Sequence, residues 1–239
     1  MCGIAGLLNL DGAPVAPPVL QNMTDAIAHR GPDGEGHWID GPIGLGHRRL
    51  AIIDLSPLGH QPMMSQDGRY VLSYNGEIYN FRELRTELET KGYGFRSTSD
   101  SEVLLTALQV WGPKALDRFN GMFAFALWDR QEKTLMLARD RYGIKPLYIT
   151  LMPAGHYCLI DMQGPPADPK FIPYWDYNFR EPDQKADRQE YIEELDRLFT
   201  QAVNRQLVGD VELGSYLSGG MDSGSITAVA AQSFADLKT

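Results

Sequence analysis

The chain has 239 residues, 43% of them hydrophobic and 22% charged, with a net charge of -9 at pH 7 and a pI of about 5.0. That is an ordinary globular make-up with enough apolar residues for its own core, and its acidic balance excludes a general nucleic-acid or anionic-membrane surface, because both need basic patches against phosphate. The two cysteines, Cys2 and Cys158, leave one disulfide open but form no disulfide framework and fit a reducing cytoplasm, and no apolar run approaches the roughly 18 residues a membrane helix needs.

Ile4 to Leu10 reads as a strand that starts almost at the terminus. Val19, Leu20, Met23 and Ile27 share one helical face. His29-Arg30-Gly31-Pro32-Asp33-Gly34 is turn chemistry. Strands are expected around His37 to Ile39 and within Ile43 to Asp54, and Asp67-Gly68 signals a hairpin feeding Arg69 to Tyr74. Asn80 with Glu83 reads as the cap of a helix carrying Leu84 and Leu88. Ser99 with Glu102 is a stronger capping box, opening a helix through Trp111 that Gly112-Pro113 stops. Met122 to Trp128 and Thr134 to Arg139 read as paired strands. Prolines 165, 166, 169, 173 and 182 mark residues 163–187 as a linker or extended crossover. Arg188 to Val208 is an amphipathic helix with Ile192, Leu195, Phe199, Ala202 and Val203 on one side. A strand at Val211 to Leu217, a Gly-rich loop and the start of another helix follow. Short strands and few helices, in no strict βαβ order, predict α+β with layered antiparallel sheets.

Removal of Met1 would leave a thiol and a free α-amine on one residue, Cys2. The amine titrates near 8 and serves, directly or through a water, as general base for the thiol. Taken alone, Cys2 reads first as an incidental small apolar residue; its company decides otherwise. Met1-Cys2-Gly3-Ile4-Ala5-Gly6 resembles the start of the class II glutamine amidotransferases. His29-Arg30-Gly31-Pro32-Asp33, His47-Arg48-Arg49-Leu50, Asn75-Gly76-Glu77-Ile78-Tyr79-Asn80, Ser99-Asp100-Ser101-Glu102 and the run Arg139 to Tyr148 follow in the order of the asparagine synthetase branch. The resemblance covers nearly all of residues 2 to 150. It implies that Arg49 pairs with the substrate α-carboxylate, that Asp100 receives the α-ammonium with help from Glu77, and that the Asn75 side chain and Gly76 N–H stabilise the oxyanion. Singly, Asp100 reads as a helix N-terminal charge and Asn75-Gly76 as a tight turn. Arg30 and Asp33 are read as loop-shaping.

Leu217-Ser218-Gly219-Gly220-Met221-Asp222-Ser223 is not a Walker P-loop. It resembles the Ser-Gly-Gly-x-Asp-Ser loop of ATP pyrophosphatases. That resemblance implies phosphate contacts from the glycine backbone, Ser218 and Ser223, with Asp222 toward Mg²⁺ or a phosphate-bound water. Two departures from the family pattern stand out. Leu213 to Thr239 falls short of the roughly 40 residues a unit needs to fold alone, so this chain is not expected to make asparagine. After Thr150 the family's next strand and its Phe-Ala-Ser-Glu-like motif are missing, which would leave a sheet edge exposed; Gly224 also stands where the family has Ser.

The resulting expectation is an N-terminal-nucleophile α+β sandwich of four layers with a remnant of an α/β nucleotide domain. Residues 2–162 are the glutaminase domain, 163–187 a Pro-rich linker and 188–239 the truncated start of a synthetase domain. The catalytic set is Cys2, Asn75 and Gly76. Glutamine is bound by Arg49, Asn75, Gly76, Glu77 and Asp100. ATP is bound by Leu217, Ser218, Gly219, Gly220, Asp222 and Ser223, with no metal site in the glutaminase. L-glutamine is the partner expected of this chain, and no cofactor is expected for its hydrolysis. ATP, Mg²⁺ and aspartate belong to a full-length relative. A cytoplasmic enzyme with no nucleic-acid or membrane partner is expected, with a homo-oligomer left open. A different acceptor acid, or a non-catalytic fragment, is the alternative.

Overall fold

The computed structural model describes residues 1–149, 152–164, 169–179, 187–234 and 237–239. The junction expected after Thr150, and Pro165, Pro166 and Pro182 of the expected linker, lie outside them. The chain divides into two compact units, Met1–Asp176 and Tyr177–Thr239.

In the first unit a three-stranded antiparallel sheet takes the order β1-β3-β2, from β1 (Gly3–Leu8), β2 (Gly34–Asp40) and β3 (Ile43–Arg49). A six-stranded antiparallel sheet runs β4 (Met63–Met64), β5 (Tyr70–Ile78), β6 (Gly121–Asp129), β7 (Thr134–Arg139), β8 (His156–Asp161) and β9 (Lys170–Pro173) in that order. Helix α1 (Pro17–Ala26) packs on β1 and β3. Helix α3 (Asp100–Trp111) packs on β5, with α2 (Phe81–Thr90) beside it. The layers are therefore helix, sheet, sheet, helix, as expected.

The alternating side chains of β5 and β6 explain the layering. Val71, Ala124, Ala126 and Trp128 turn toward Ile43 and Leu45 of the small sheet in one core. On the other side of the large sheet, Leu72, Leu104, Leu105 and Leu108 are also buried. A sheet covered on both faces reads as a near-continuous apolar run rather than an alternation, and each fully buried large side chain contributes about 1.5–3 kcal/mol. β1 stands at an edge of the small sheet, paired only with β3 among the described residues.

Several local expectations are corrected. In α1, Leu20 and Thr24 face inward while Val19 and Met23 stay exposed. Asn80 makes no side-chain cap: its amide instead donates to Arg118 O (3.0 Å) and accepts from Asn120 N (2.9 Å), tying α2 to the strand that follows α3. Ser99 does cap α3, accepting from Glu102 N (3.3 Å), but Glu102 reaches back to the Arg96 and Ser97 amides rather than to Ser99, so the box is half closed.

In the second unit, α4 (Arg188–Gln206) opens on a full capping box between Asp187 and Glu190, and α5 (Met221–Ala230) follows the Gly-rich loop. The strand expected at Val211 to Leu217 is reduced to a parallel bridge between Gly214 and Lys238. Of the expected apolar face of α4, Val203 is buried and Phe199 half-buried, whereas Ile192 and Leu195 are exposed.

Candidate active site

The small sheet delivers the nucleophile candidate. β1 begins at Gly3, paired with Arg48, so Cys2 sits where the sheet ends, beside the chain leaving β3. Its Sγ accepts from Leu50 N (3.3 Å) and faces Leu50 O (3.5 Å), while Arg30 Nε donates to Cys2 O (3.0 Å). Arg30, expected only to shape a loop, therefore grips the backbone of Cys2 itself. Asp33 does shape the loop, accepting from Ala51 N (2.9 Å). Burial pushes the Cys2 thiol up and, in this chain that still carries Met1, the Met1 α-amine down.

The large sheet delivers the rest. Asn75 and Gly76 lie in β5 opposite Ala124 and Phe123 of β6. A Cβ at Gly76 would fall 2.3 Å from Met122 O and 2.7 Å from the Phe123 Cα, so close strand approach demands glycine there. The pair lies within a strand and not in the tight turn that Asn-Gly taken singly suggests. Asp100, at the start of α3, is buried and accepts from the Tyr74 hydroxyl (2.7 Å) and Ile78 N (3.0 Å). Burial raises its carboxyl, and those two donors pull it back down. Tyr74 is itself pushed well above its ordinary value by burial and by the Asp100 charge, so it remains a phenol that donates.

Arg49 is held by the loop after β3. Its guanidinium donates to Ser56 O (2.9 Å) and Asp54 O, and passes over Gly59, where a Cβ would fall 2.2 Å from Nη2. Asp54 adopts a left-handed φ of 57° and accepts from Thr98 N (2.7 Å), pinning this loop to the segment before α3. Gln61, also buried, accepts from Tyr74 N (2.7 Å). Glu77 is pushed up to about 7, first by burial and then by Asp100, with Lys145 opposing. Its Oε1 is buried with no hydrogen-bond partner.

Cys2, Arg49, Asn75, Gly76, Glu77 and Asp100 all line one cavity of about 120 Å³. Every expected glutaminase residue is thus brought together from chain positions almost a hundred residues apart. Tyr74, Gln61, Gly59 and Lys145 line it too and were not singled out for it. Lys145 alone had a visible signal, in the Arg139 to Tyr148 run.

The Gly-rich loop belongs to the second unit. Leu217, Ser218, Gly219, Gly220 and Asp222 are exposed and Ser223 half-buried. Ser218 and Ser223 hydroxyls lie 2.9 Å apart, Gly219 has φ 81°, and Gly220 caps α5, so two hydroxyls and a helix N-terminus converge.

A family model described as a glutamine amidotransferase domain matches residues 1–160. The chain belongs to the glutamine amidotransferase family. An asparagine synthase model matches residues 194–239. "Asparagine synthetase [glutamine-hydrolyzing] 1" of Bacillus subtilis (strain 168) is 34% identical over 288 residues, covering 100% of this chain and 45% of its own length. An aligned span longer than the 239-residue chain means that this amidotransferase relative carries further residues within it. "Amidase chry2" of Gibberella zeae is 30% identical, over 96% of this chain and 42% of its own length. The chain thus spans under half the length of these curated relatives. Among solved structures, glutamine phosphoribosylpyrophosphate amidotransferase from B. subtilis aligns with a TM-score of 0.60 at 18% identity, covering 100% of this chain and 65% of that one, a likeness of fold. No helix among the described residues is long and apolar enough to cross a membrane.

Proposed function

We propose that residues 2–162 hydrolyse L-glutamine to glutamate and ammonia. Cys2, freed of Met1, attacks the side-chain amide as its own α-amine takes the thiol proton. The Asn75 side chain and Gly76 N–H carry the oxyanion. Arg49 holds the α-carboxylate, with one side of its guanidinium already fixed by the Asp54 and Ser56 carbonyls. Asp100 and Glu77 receive the α-ammonium. The observation that supports this reading best is the shared cavity: a thiol, a buried strand amide and glycine, one guanidinium and two carboxylates around a space of about 120 Å³. An amino-acid substrate is zwitterionic, and this lining carries both counter-charges.

On the same reading residues 163–187 are a linker and 188–239 begin a synthetase domain, in which ATP and Mg²⁺ serve to activate an acceptor acid, aspartate in the asparagine synthetases. The hydroxyls of Ser218 and Ser223 and the N-terminus of α5 suit phosphate, and Asp222 in the first turn of α5 suits a cation beside it. The glutaminase half as read here uses no cofactor.

Ammonia release from glutamine by the purified chain, with loss of Met1 verified by intact mass and a Cys2→Ala variant alongside, tests the proposal. Release that disappears in the variant is expected. A folded, processed chain that releases none would make it a fragment with the lining of an enzyme but not its activity.

A further inference from the structure

The run Arg139 to Tyr148 is built with unusual care for a loop with no assigned task. Asp140 is fully buried, and its carboxylate accepts from four backbone amides: Phe123 (3.1 Å), Tyr142 (3.1 Å), Ile144 (2.9 Å) and Lys145 (2.9 Å). Arg139 closes the turn from the other side, donating to Lys145 O (2.8 Å), Gly143 O (2.6 Å) and Met152 O (3.0 Å). A Cβ at Gly143, which has φ 64°, would fall 2.9 Å from the Arg139 guanidinium carbon. Both polar atoms of the Lys145 backbone are therefore clamped.

The outcome of that clamp is a buried ammonium. Lys145 is 4% exposed, lines the same cavity as Cys2 and Glu77, and donates to the thioether sulfur of Met1 (3.0 Å). A thioether is a weak acceptor, and a buried charge needs a better one. In the same cavity, Glu77 holds the complementary defect, a buried carboxyl oxygen without a partner. Met1 is the residue that the proposed maturation removes.

We propose that Lys145 is a positioning residue of the glutamine site: once Met1 is gone, its ammonium turns to Glu77 and keeps that carboxyl charged for the substrate's α-ammonium. The groups facing Glu77 are Asp100 from α3, Tyr74 and Tyr79 from β5 and its end, and Lys145 from the clamped turn. Lys145 is the one cation among them, and without it two carboxyls would compete for one charge in a small space. The assignment of Glu77 to the substrate rests on the glutaminase reading; the pairing of Lys145 with Glu77 does not.

The test is a carboxyl-carbon NMR titration of the full chain labelled at glutamate, with the Glu77 signal identified by its loss in Glu77→Gln. The Glu77 midpoint is expected to drop by about one pH unit or more from the Met1-retaining chain to the processed chain. In processed Lys145→Met it is expected to return upward, and in Lys145→Arg to stay low. The first comparison needs no substitution, so a variant that fails to fold leaves it standing. An unchanged midpoint on removing Met1 overturns the proposal. In the glutamine assay, Lys145→Met is expected to raise KM roughly tenfold below the Glu77 midpoint with kcat within about twofold, the defect closing at higher pH. Equal losses at every pH would reduce Lys145 to a structural role. A chain that shows the NMR shift but hydrolyses no glutamine keeps the Lys145–Glu77 pair and discards the glutaminase reading.

Discussion

Residues Met1–Asp176 and Tyr177–Thr239 carry motifs of similar sharpness, yet they meet water very differently. In the first unit both faces of the large sheet are covered, and Leu72, Ile78 and Phe123 of its strands and Val103 of α3 are at most 1% exposed. In the second, Val203 and Ala230 are the buried hydrophobic residues among those described, and Leu195 is 68% exposed on α4. The lesson is that a motif becomes a site when its neighbours are a core. Asn75 and Asp100 are held by strands and a helix that cannot move without opening apolar surface, whereas the hydroxyls of Ser218 and Ser223 hold mainly one another.

The sharpest way to break this comparison is a matched pair of truncations. Leu104→Ala should cost the first unit about 2–5 kcal/mol in denaturant unfolding, whereas Leu195→Ala in α4 should stay within about 0.5 kcal/mol. Equal costs would mean that the second unit has a core of its own. Next in size, Asn75→Ala should lower kcat for glutamine about a hundred- to a thousandfold with little change in KM, as removal of an oxyanion donor does.

In the chain that keeps Met1, Glu77 is raised from 4.5 to about 7. Between those values the folded chain binds more protons than the unfolded one. Its contribution to stability is therefore fullest below about 4.5 and is lost as pH rises through 7. Urea midpoints across that window should show the slope, and Glu77→Gln should flatten it. Smaller again, Gly59→Ala should raise KM for glutamine about tenfold by pushing Arg49 off its seat. Ser218→Ala should leave glutamine hydrolysis unchanged; a fall would tie the second unit's loop to the first unit's chemistry.

How legible each part was follows the same divide. The hairpin at Gly68, the stop at Gly112 and the pairing of Met122 to Trp128 with Thr134 to Arg139 were visible because turn chemistry is local. The inward face of α1 was not, because Thr24 is buried against the small sheet by its hydroxyl's bonds to Leu20 O, Gln21 O and His37 Nε2, which an apolar count ignores. Asn80 misled for a related reason: its amide found partners forty residues downstream rather than in its own helix. The six residues proposed for the glutamine site, which line one cavity, were legible through their flanking motifs. Tyr74, Gln61 and Gly59 were not, since each acts by supporting a neighbour, and nothing in a tyrosine, a glutamine or a glycine announces which neighbour that is.

Cys2 hangs from one sheet and Asn75 from the other, so the distance between the sulfur and the amide proposed as nucleophile and oxyanion donor is a mechanical quantity: the lateral offset of two plates. Apolar side chains press plates together but resist sliding weakly, because their attraction has no direction. Two hydrogen bonds act as dowels through the joint. The Ser73 hydroxyl donates to Gly46 O (3.0 Å), and His47 Nε2 bonds to Tyr74 O (3.0 Å), both within two residues of Asn75. Burial holds His47 near 4, so its ring is neutral at ordinary pH, and since a carbonyl can only accept, the Nε2 proton is fixed by the joint it makes. A tool-maker would place the pins where the tolerance matters most, and here they sit directly under the working edge.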